Sequence, residues 1–459
     1  MKKIKFLLIP ALLLSAMACQ DYLELEQTGD TISEENALQT QQDYEELLWS
    51  CYDVIANTYD GRMQILFDLL SDDLAAPNSN ADYTEVYNRN MLFFNSTLGG
   101  VYGQPYFAIF RANSLIEALD NIPFTDPARK VSMEAEAKFI RALGHFDLVR
   151  GWGQPYGFTS NNSHPGIIYK TSTATDILAR NTVGDVYDLV ISDLEFAEVN
   201  LPSANGDAAT LWAAKALLAK VYFQKGDYAL AAQYASDVID NGPYSFDLNS
   251  LDRFTAMPST EAIFYTLSID LDRRSGPFTG NYRSDGTSVP TLRASTSMYQ
   301  TYGTDTTDLR SNWFIVKDAG QPNEYFGISK FNKDYFSVPV LHITDLKLMR
   351  AEAFGELGTN LSVAIQDIND IRERAYSGSS MNLPSGSSGA EIIDAARWER
   401  RIEMLGEGDR VQQLKRLGAV ENLPITIRSA PWDCPGMILQ FPVTERTDAF
   451  VLNQTGGCN

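Results

Sequence analysis

Apolar residues recur along most of this chain at spacings of three and four, the period of helices with one buried face. Over residues 34–56 they fall at Leu38, Tyr44, Leu47, Leu48, Cys51, Val54 and Ile55, behind a capping-box pattern at Thr31-x-x-Glu34. Residues 106–119 place Ile109, Ala112, Leu115, Ile116 and Leu119 on one stripe, and 133–149 do the same with Ala135, Phe139, Ala142, Leu143, Phe146 and Val149. A further stripe over 183–197 (Val186, Leu189, Val190, Leu194, Ala197) stops at Leu201-Pro202. The pattern predicts an all-α fold.

Residues 212–245 match the 34-residue tetratricopeptide pattern at Leu218, Ala219, Tyr222, Ala231, Ala235 and Pro243, with a turn at Gly226-Asp227-Tyr228. Small Ala219 and Ala231 let two helices approach, and Pro243 ends the second. A degenerate copy spans about 345–376, turning at Gly358-Thr359-Asn360, and a third pair joins the helices within about 133–199. Such pairs stack into a scaffold. Between them lie stretches read as irregular (71–103, 151–180, 250–338 and 425–459) and a Gly/Ser-rich loop over 377–390. Long loops on a rigid scaffold are where binding residues concentrate.

The amino terminus carries Lys2, Lys3 and Lys5, then an uncharged run from Phe6 to Ala18. That run is too short to span a bilayer and fits a signal peptide ending in small residues. Cys19 follows Ala16-Met17-Ala18 directly, which resembles a bacterial lipobox, with a Leu commoner where Ala16 stands. The alternative is an ordinary signal peptide in which Cys19 is incidental. On the lipobox reading 1–18 is removed, 19–33 is a lipidated acidic tether, and 34–459 is one helical domain on a membrane anchor.

Composition narrows the chemistry. With 59 Asp+Glu against 37 Lys+Arg the formal charge is −22, which excludes a nucleic-acid partner that needs a basic face. Three His and four Cys without Cys-x-x-Cys or His-x-x-x-His spacing argue against a metal centre, and no cofactor motif is present. Cys434 and Cys458 are candidates for a disulfide in an exported chain, and Cys51 reads as a buried thiol.

Several strings in order resemble the SusD/RagB family of Bacteroidota outer-membrane nutrient-uptake lipoproteins: Cys19-Gln-Asp-Tyr-Leu-Glu24, Ile109-Phe-Arg-Ala-Asn113, 135–146 leading to Gly151-Trp152-Gly153, Val183-Gly-Asp-Val-Tyr187, 213–222, Arg350-Ala-Glu-Ala353, Ile371-Arg-Glu-Arg-Ala375, Arg400-Arg401 with Glu403, and Glu407 with Arg410. The resemblance covers nearly the whole chain from Cys19. Gln413, where the family often has an acid, and Asn453-Gln454, a reversal of the usual order, depart from it. It implies tetratricopeptide-type helix pairs under a loop-rich face, an outer-membrane location facing the exterior, an oligosaccharide or, in the RagB branch, a peptide ligand, and a SusC-like TonB-dependent transporter as partner. It also implies a binding protein rather than an enzyme.

Sugar binding needs flat aromatic faces beside hydroxyl acceptors and donors. Loop aromatics Trp313, Tyr282, Tyr83 and Tyr87 are the candidate ligand contacts; by resemblance the insertion over 250–338, which holds the first two, helps build the ligand face. Trp152, Trp212 and Trp398 are read as packing. Asp72-Asp73 would be the carboxylates of a rival glycoside hydrolase, but neighbours on one loop rarely face each other across a substrate. His145, on a helical face, is read as structural. Arg400, Arg401, Glu403, Glu407 and Arg410 stand at helical spacings, so mutual ion pairing is the expectation. A bare tetratricopeptide scaffold for protein assembly would not need the aromatic insertions.

Overall fold

A computed structural model describes residues 38–458. The lipobox, Cys19, the tether and the Thr31–Glu34 box lie outside those residues. Helix α1 (Gln41–Thr58) opens on a different capping box, in which Asp43 N–H donates to Thr40 Oγ1 at 3.3 Å and Thr40 N–H to Asp43 Oδ2 at 2.7 Å. The predicted helix therefore starts later than residue 34, at the second Thr-x-x-acid pattern. Short helices α2 (Arg62–Leu70) and α3 (Ala81–Tyr87) follow, then α4 (Ser96–Ala118). Helix α4 begins ten residues before the apolar stripe suggested, because Asn95 caps Leu98 N–H and the helix tolerates Pro105.

Helices α5 (Pro127–Trp152) and α6 (Val183–Asn200) pair, as do α7 (Leu211–Lys225) with α8 (Tyr228–Asn241) and α10 (Ile343–Leu357) with α11 (Leu361–Tyr376); α6 then packs on α7 and α8 on α10. Ala219 and Ala231 are fully buried where α7 and α8 meet, as their size predicts. Helix α12 (Gly389–Glu403) lies across α10, and α13 (Arg410–Ala419) returns toward α2.

The insertion before α10 is pinned at its base by antiparallel strands β1 (Ala262–Thr266) and β4 (Val338–His342), the latter ending on His342, which caps α10. Between them lie a short helix α9 (Gly276–Tyr282) and a hairpin of β2 (Phe314–Lys317) and β3 (Tyr325–Ile328). Phe254, Phe278, Tyr282, Phe331 and Phe336 form an aromatic core inside it, with ring centroids 4.8–6.5 Å apart. A last hairpin joins β5 (Thr426–Ile427) to β6 (Ala430–Pro431), and a disulfide ties Cys434 to Cys458 with Cα atoms 5.3 Å apart. Cys51 is a buried free thiol. The departures at Gln413 and Asn453 are accommodated: Gln413 bonds Asp409 at 3.0 Å, and Asn453 Nδ2 donates to the Trp152 and Leu439 carbonyls, both at 2.8 Å.

Arg400, Arg401, Glu403, Glu407 and Arg410 do not pair with one another as their spacing suggested. Helix α12 ends at Glu403, and Gly406 and Gly408, at φ 82° and 75°, turn the chain before α13; a Cβ on Gly406 would lie 2.5 Å from the Phe331 ring. The partners are therefore remote. Glu403 accepts from Arg253 and Arg310 of the insertion, both at 3.1 Å, and from Arg374 of α11 at 3.0 Å. Arg400 binds Asp345 at 2.6 Å and Asp409 at 2.7 Å. Glu407 takes Lys330 at 2.6 Å and His342 at 3.3 Å.

Burial alone would raise the Glu407 carboxyl, but Lys330, the hydrogen bond from His342 and Arg253 outweigh it and hold it down from 4.5 to about 2. A depressed carboxylate stabilises the fold fully above its unfolded value near 4.5, and loses that contribution as pH falls toward 2. Loss of this one charge is expected to cost on the order of 3 kcal/mol. Urea unfolding of the wild type and Glu407→Gln at pH 7 and pH 3 should show a stability gap at pH 7 that narrows at pH 3. A gap of equal size at both pH values contradicts this account.

Candidate functional site

The long loops converge where α2 ends. Its last turn leads into Ser71, Asp72 and Asp73, and the following strand-like stretch runs beside residues 291–295 through Ala75 N–H to Arg293 O and Asn78 N–H to Thr291 O, both 2.9 Å. Two helices reach this loop from the scaffold. Arg401 of α12 binds Asp73 at 2.8 Å and Asp72 at 3.1 Å, and Arg410 at the start of α13 binds Asp72 at 2.9 Å. Burial disfavours the Asp72 charge, but Arg410 and Arg401 prevail and hold its carboxyl below the usual range. Burial pushes the Asp73 carboxyl up despite Arg401; Asp73 is 1% exposed.

One turn before Arg401, Trp398 projects from α12 with 46% of its surface open, its ring centroid 4.8 Å from that of Tyr302. Tyr302 is buried and donates its hydroxyl to the Trp398 carbonyl at 3.1 Å. An exposed indole therefore stands beside a half-buried set of two guanidinium groups and a carboxylate. On the other side of Asp72, Arg428 of the β5–β6 turn donates to Leu69 O at 2.9 Å and lies 3.8 Å over the half-buried Tyr87 ring.

This arrangement corrects the sequence-based assignment of the aromatics. Tyr282 has no exposed surface; it sits in the insertion core with its hydroxyl 3.4 Å from Asp68. Trp313 is 3% exposed and lies under Lys330, whose Nζ is 5.1 Å from the ring. Tyr83 is buried on the inner side of α3. Tyr282 and Trp313 offer no face to a ligand, because the insertion uses its aromatics for its own core, and Tyr83 shows only its edge to a small polar cleft beside Arg62 and Thr97. Only Tyr87 stands at the loop face. Trp398, read as core, is instead exposed, and its spacing could have shown this: the buried positions of α12 are Ile392, Ala395, Ala396, Glu399, Arg400, Ile402 and Glu403, and position 398 falls off that stripe. Trp152 is buried, as expected, and Trp212 is partly buried against Lys215.

His145 is structural. Nδ1 faces the Arg141 carbonyl at 2.9 Å, Nε2 accepts from Lys170 N–H at 3.0 Å, and the ring stacks on Tyr169 at 3.9 Å. Burial lowers its pKa to about 3, so it is neutral at pH 7.

A separate apolar cleft of about 570 Å³ runs along α4, between Tyr106, Phe110, Ile168, Lys170, Pro442 and Glu445. Among the described residues Glu352, Glu356 and Glu421 are the acids close enough to share an ion, but Arg397 and Arg416 already bridge them at 2.6–3.0 Å. Among the described residues no helix is long and apolar enough to cross a membrane.

Known proteins match this architecture end to end. Residues 21–223 match the family described as starch-binding associating with outer membrane, and 222–430 match the SusD family. The SusD-like protein P38 of Formosa agariphila is 25% identical over 91% of this chain and 92% of its own, and the SusD-like protein P2 of the same organism is 27% identical over 91% of each. The fold superposes on a SusD superfamily protein from Bacteroides thetaiotaomicron with a TM-score of 0.79 at 23% identity, covering 91% of this chain and all of that one. A putative sugar binding protein from Bacteroides vulgatus gives 0.77 at 22% identity, covering 91% and 99%. With residues 21–223 and 222–430 matched in succession, this chain belongs to the SusD family.

Proposed function

We propose that this protein captures an oligosaccharide at the outer-membrane surface, without cleaving it, and hands it to a SusC-like TonB-dependent transporter. The observation that carries this reading is the open Trp398 ring beside Asp72, Arg401 and Arg410. An indole face takes the C–H side of a pyranose, while planar charged groups donate to and accept from its hydroxyls. Half the ring remains in water and Tyr302 fixes its angle from behind, so the platform is formed in advance and little ordering is lost on binding.

Hydrolysis is disfavoured by the state of the paired acids. A glycosidase places two reachable carboxyl groups on either side of the scissile bond. Asp73 is buried under Arg401, and Asp72 is gripped by two arginines, so neither is free to move a proton to a sugar. Family membership supports delivery to a transporter and a position facing the exterior, and the lipobox-like sequence before Cys19 supports a lipid anchor.

Calorimetric titration of the purified protein against a glycan panel and a mixed peptide pool, with recovery of each ligand, tests the reading. An intact oligosaccharide should bind, and Trp398→Ala should weaken it at least tenfold, about 1.4 kcal/mol. Cleaved product would replace capture with hydrolysis, and heat from peptides alone would move the protein to the RagB branch. In cells, Cys19→Ala should shift the protein from the membrane fraction to the soluble fraction. A variant that stays on the membrane refutes the anchor.

A further inference from the structure

Arg89 and Arg428 are neighbours: Arg89 Nη2 donates at 2.6 Å to the carbonyl of Ile427, the residue before Arg428. Arg428 donates in turn to Leu69 O at 2.9 Å. Arg428 also meets the Tyr87 side chain, neither arginine pairs with an acid, and the Nε–H of each is buried without an acceptor. The other two arginines at Asp72 are matched, since Arg401 and Arg410 both close on its carboxylate. Asp72 is the acid whose field reaches Arg89 and Arg428, and its two oxygens are already committed to that second pair. Two adjacent guanidinium groups, one of them 5% exposed, are thus left with no counter-ion of their own. Burial, and then Arg428, push Arg89 down to about 10.

The backbone points the same way. Arg89 follows the last residues of α3 at φ 57°, a left-handed position where Gly or Asn ordinarily ends a helix. Arg428 and Ser429 form the two-residue turn between β5 and β6 at φ 47° and 69°, where Asn-Gly is the unstrained choice. Each arginine occupies a site at which its own side chain makes the turn less favourable, and neither gains an ion pair in return. Their hydrogen bonds to carbonyls hold the guanidinium groups in place but leave the charges unneutralised, and strained positions of this kind cluster where a ligand is held. The pair is also braced: Tyr87 lies flat beneath Arg428, and the turn after Cys434 presses on Arg89, since a Cβ on Gly436 would fall 2.3 Å from the Arg89 carbonyl.

We infer that Arg89 and Arg428, with Tyr87, form a receptor for an anionic group on the captured saccharide, a carboxylate or a sulfate ester. The inference rests on the glycan-capture reading and names the class of glycan. Guanidinium forks meet both groups in a bidentate manner, and the anion would supply the counter-charge that the fold omits. Asp72, whose field reaches both arginines, is held by Arg401 one turn from Trp398, so the receptor and Trp398 border the same loop.

The test compares matched ligands on the purified protein: trigalacturonate against its carboxyl-reduced form, and a sulfated carrageenan oligosaccharide against its desulfated form. At least one acidic member should bind tenfold or more tightly than its neutral partner, with the advantage shrinking as NaCl rises. Which pair shows it separates carboxylate from sulfate. Arg428→Gln should abolish the preference, and Arg428→Lys should retain part of it. Equal affinity for acidic and neutral partners overturns the inference and leaves neutral-glycan capture standing. Binding of acidic peptides with no saccharide bound overturns both. The ligand comparison needs no variant, so a folding defect in Arg428→Gln cannot mask the outcome.

Discussion

A buried carboxylate, Glu403, holds the two parts of this molecule in register. It has no exposed surface and accepts from Arg253 and Arg310 of the insertion and from Arg374 of α11. Apolar contacts between a scaffold and a long insertion are non-directional and tolerate sliding. A desolvated carboxylate does not: removing one partner strands a charge at a cost of roughly 3–5 kcal/mol. Lys330 adds to the lock by donating to the Glu403 and Leu405 carbonyls at 2.8 and 2.9 Å, which closes the end of α12 with a side chain from the insertion. The network thus selects one placement of the insertion over its neighbours.

That placement matters because α12 works on both faces. Its inner positions, Glu399 and Glu403, bind Arg310 and so hold the insertion. Its outer positions, Trp398 and Arg401, present the indole and clamp the Asp72–Asp73 loop. The 3.6-residue period puts the lock and the site on opposite sides of one rigid rod, so the recognition surface inherits the precision of the buried network. Tyr302, which comes from the insertion and supports Trp398, is positioned by the same lock.

The helices were legible from the sequence because each buries one stripe, and their pairing followed from small residues such as Ala219 and Ala231. The exceptions have local causes. Helix α4 starts early because helical hydrogen bonding and an Asn95 cap outweigh three glycines and Pro105. The site was far less legible. Aromatic residues in a loop-rich insertion look available, yet a long insertion needs a core of its own, and Tyr282 and Trp313 are spent on it. Trp398 looked buried because it lies in a helix, although it stands off the apolar stripe. The ion-pair partners of 400–410 were invisible because the turn at Gly406 and Gly408 sends neighbouring charges to α2, α10 and the insertion.

The chain as a whole carries a formal charge of −22, which at first sight argues against an acidic ligand. Range resolves the conflict. At physiological salt the general field is screened beyond about 8 Å, whereas a guanidinium fork in direct contact acts at hydrogen-bond distance in a partly desolvated setting. Long-range repulsion slows approach and contact attraction holds the ligand, so the pair confers selectivity without extreme affinity. For the proposed role of passing a ligand to a transporter, that balance is useful. An anion held by two arginines with no acid of their own can be displaced by a neighbouring anion-binding surface, and no covalent or metal-mediated bond has to break. The strained turns at Arg89 and Arg428 keep those two charges in place while the ligand comes and goes.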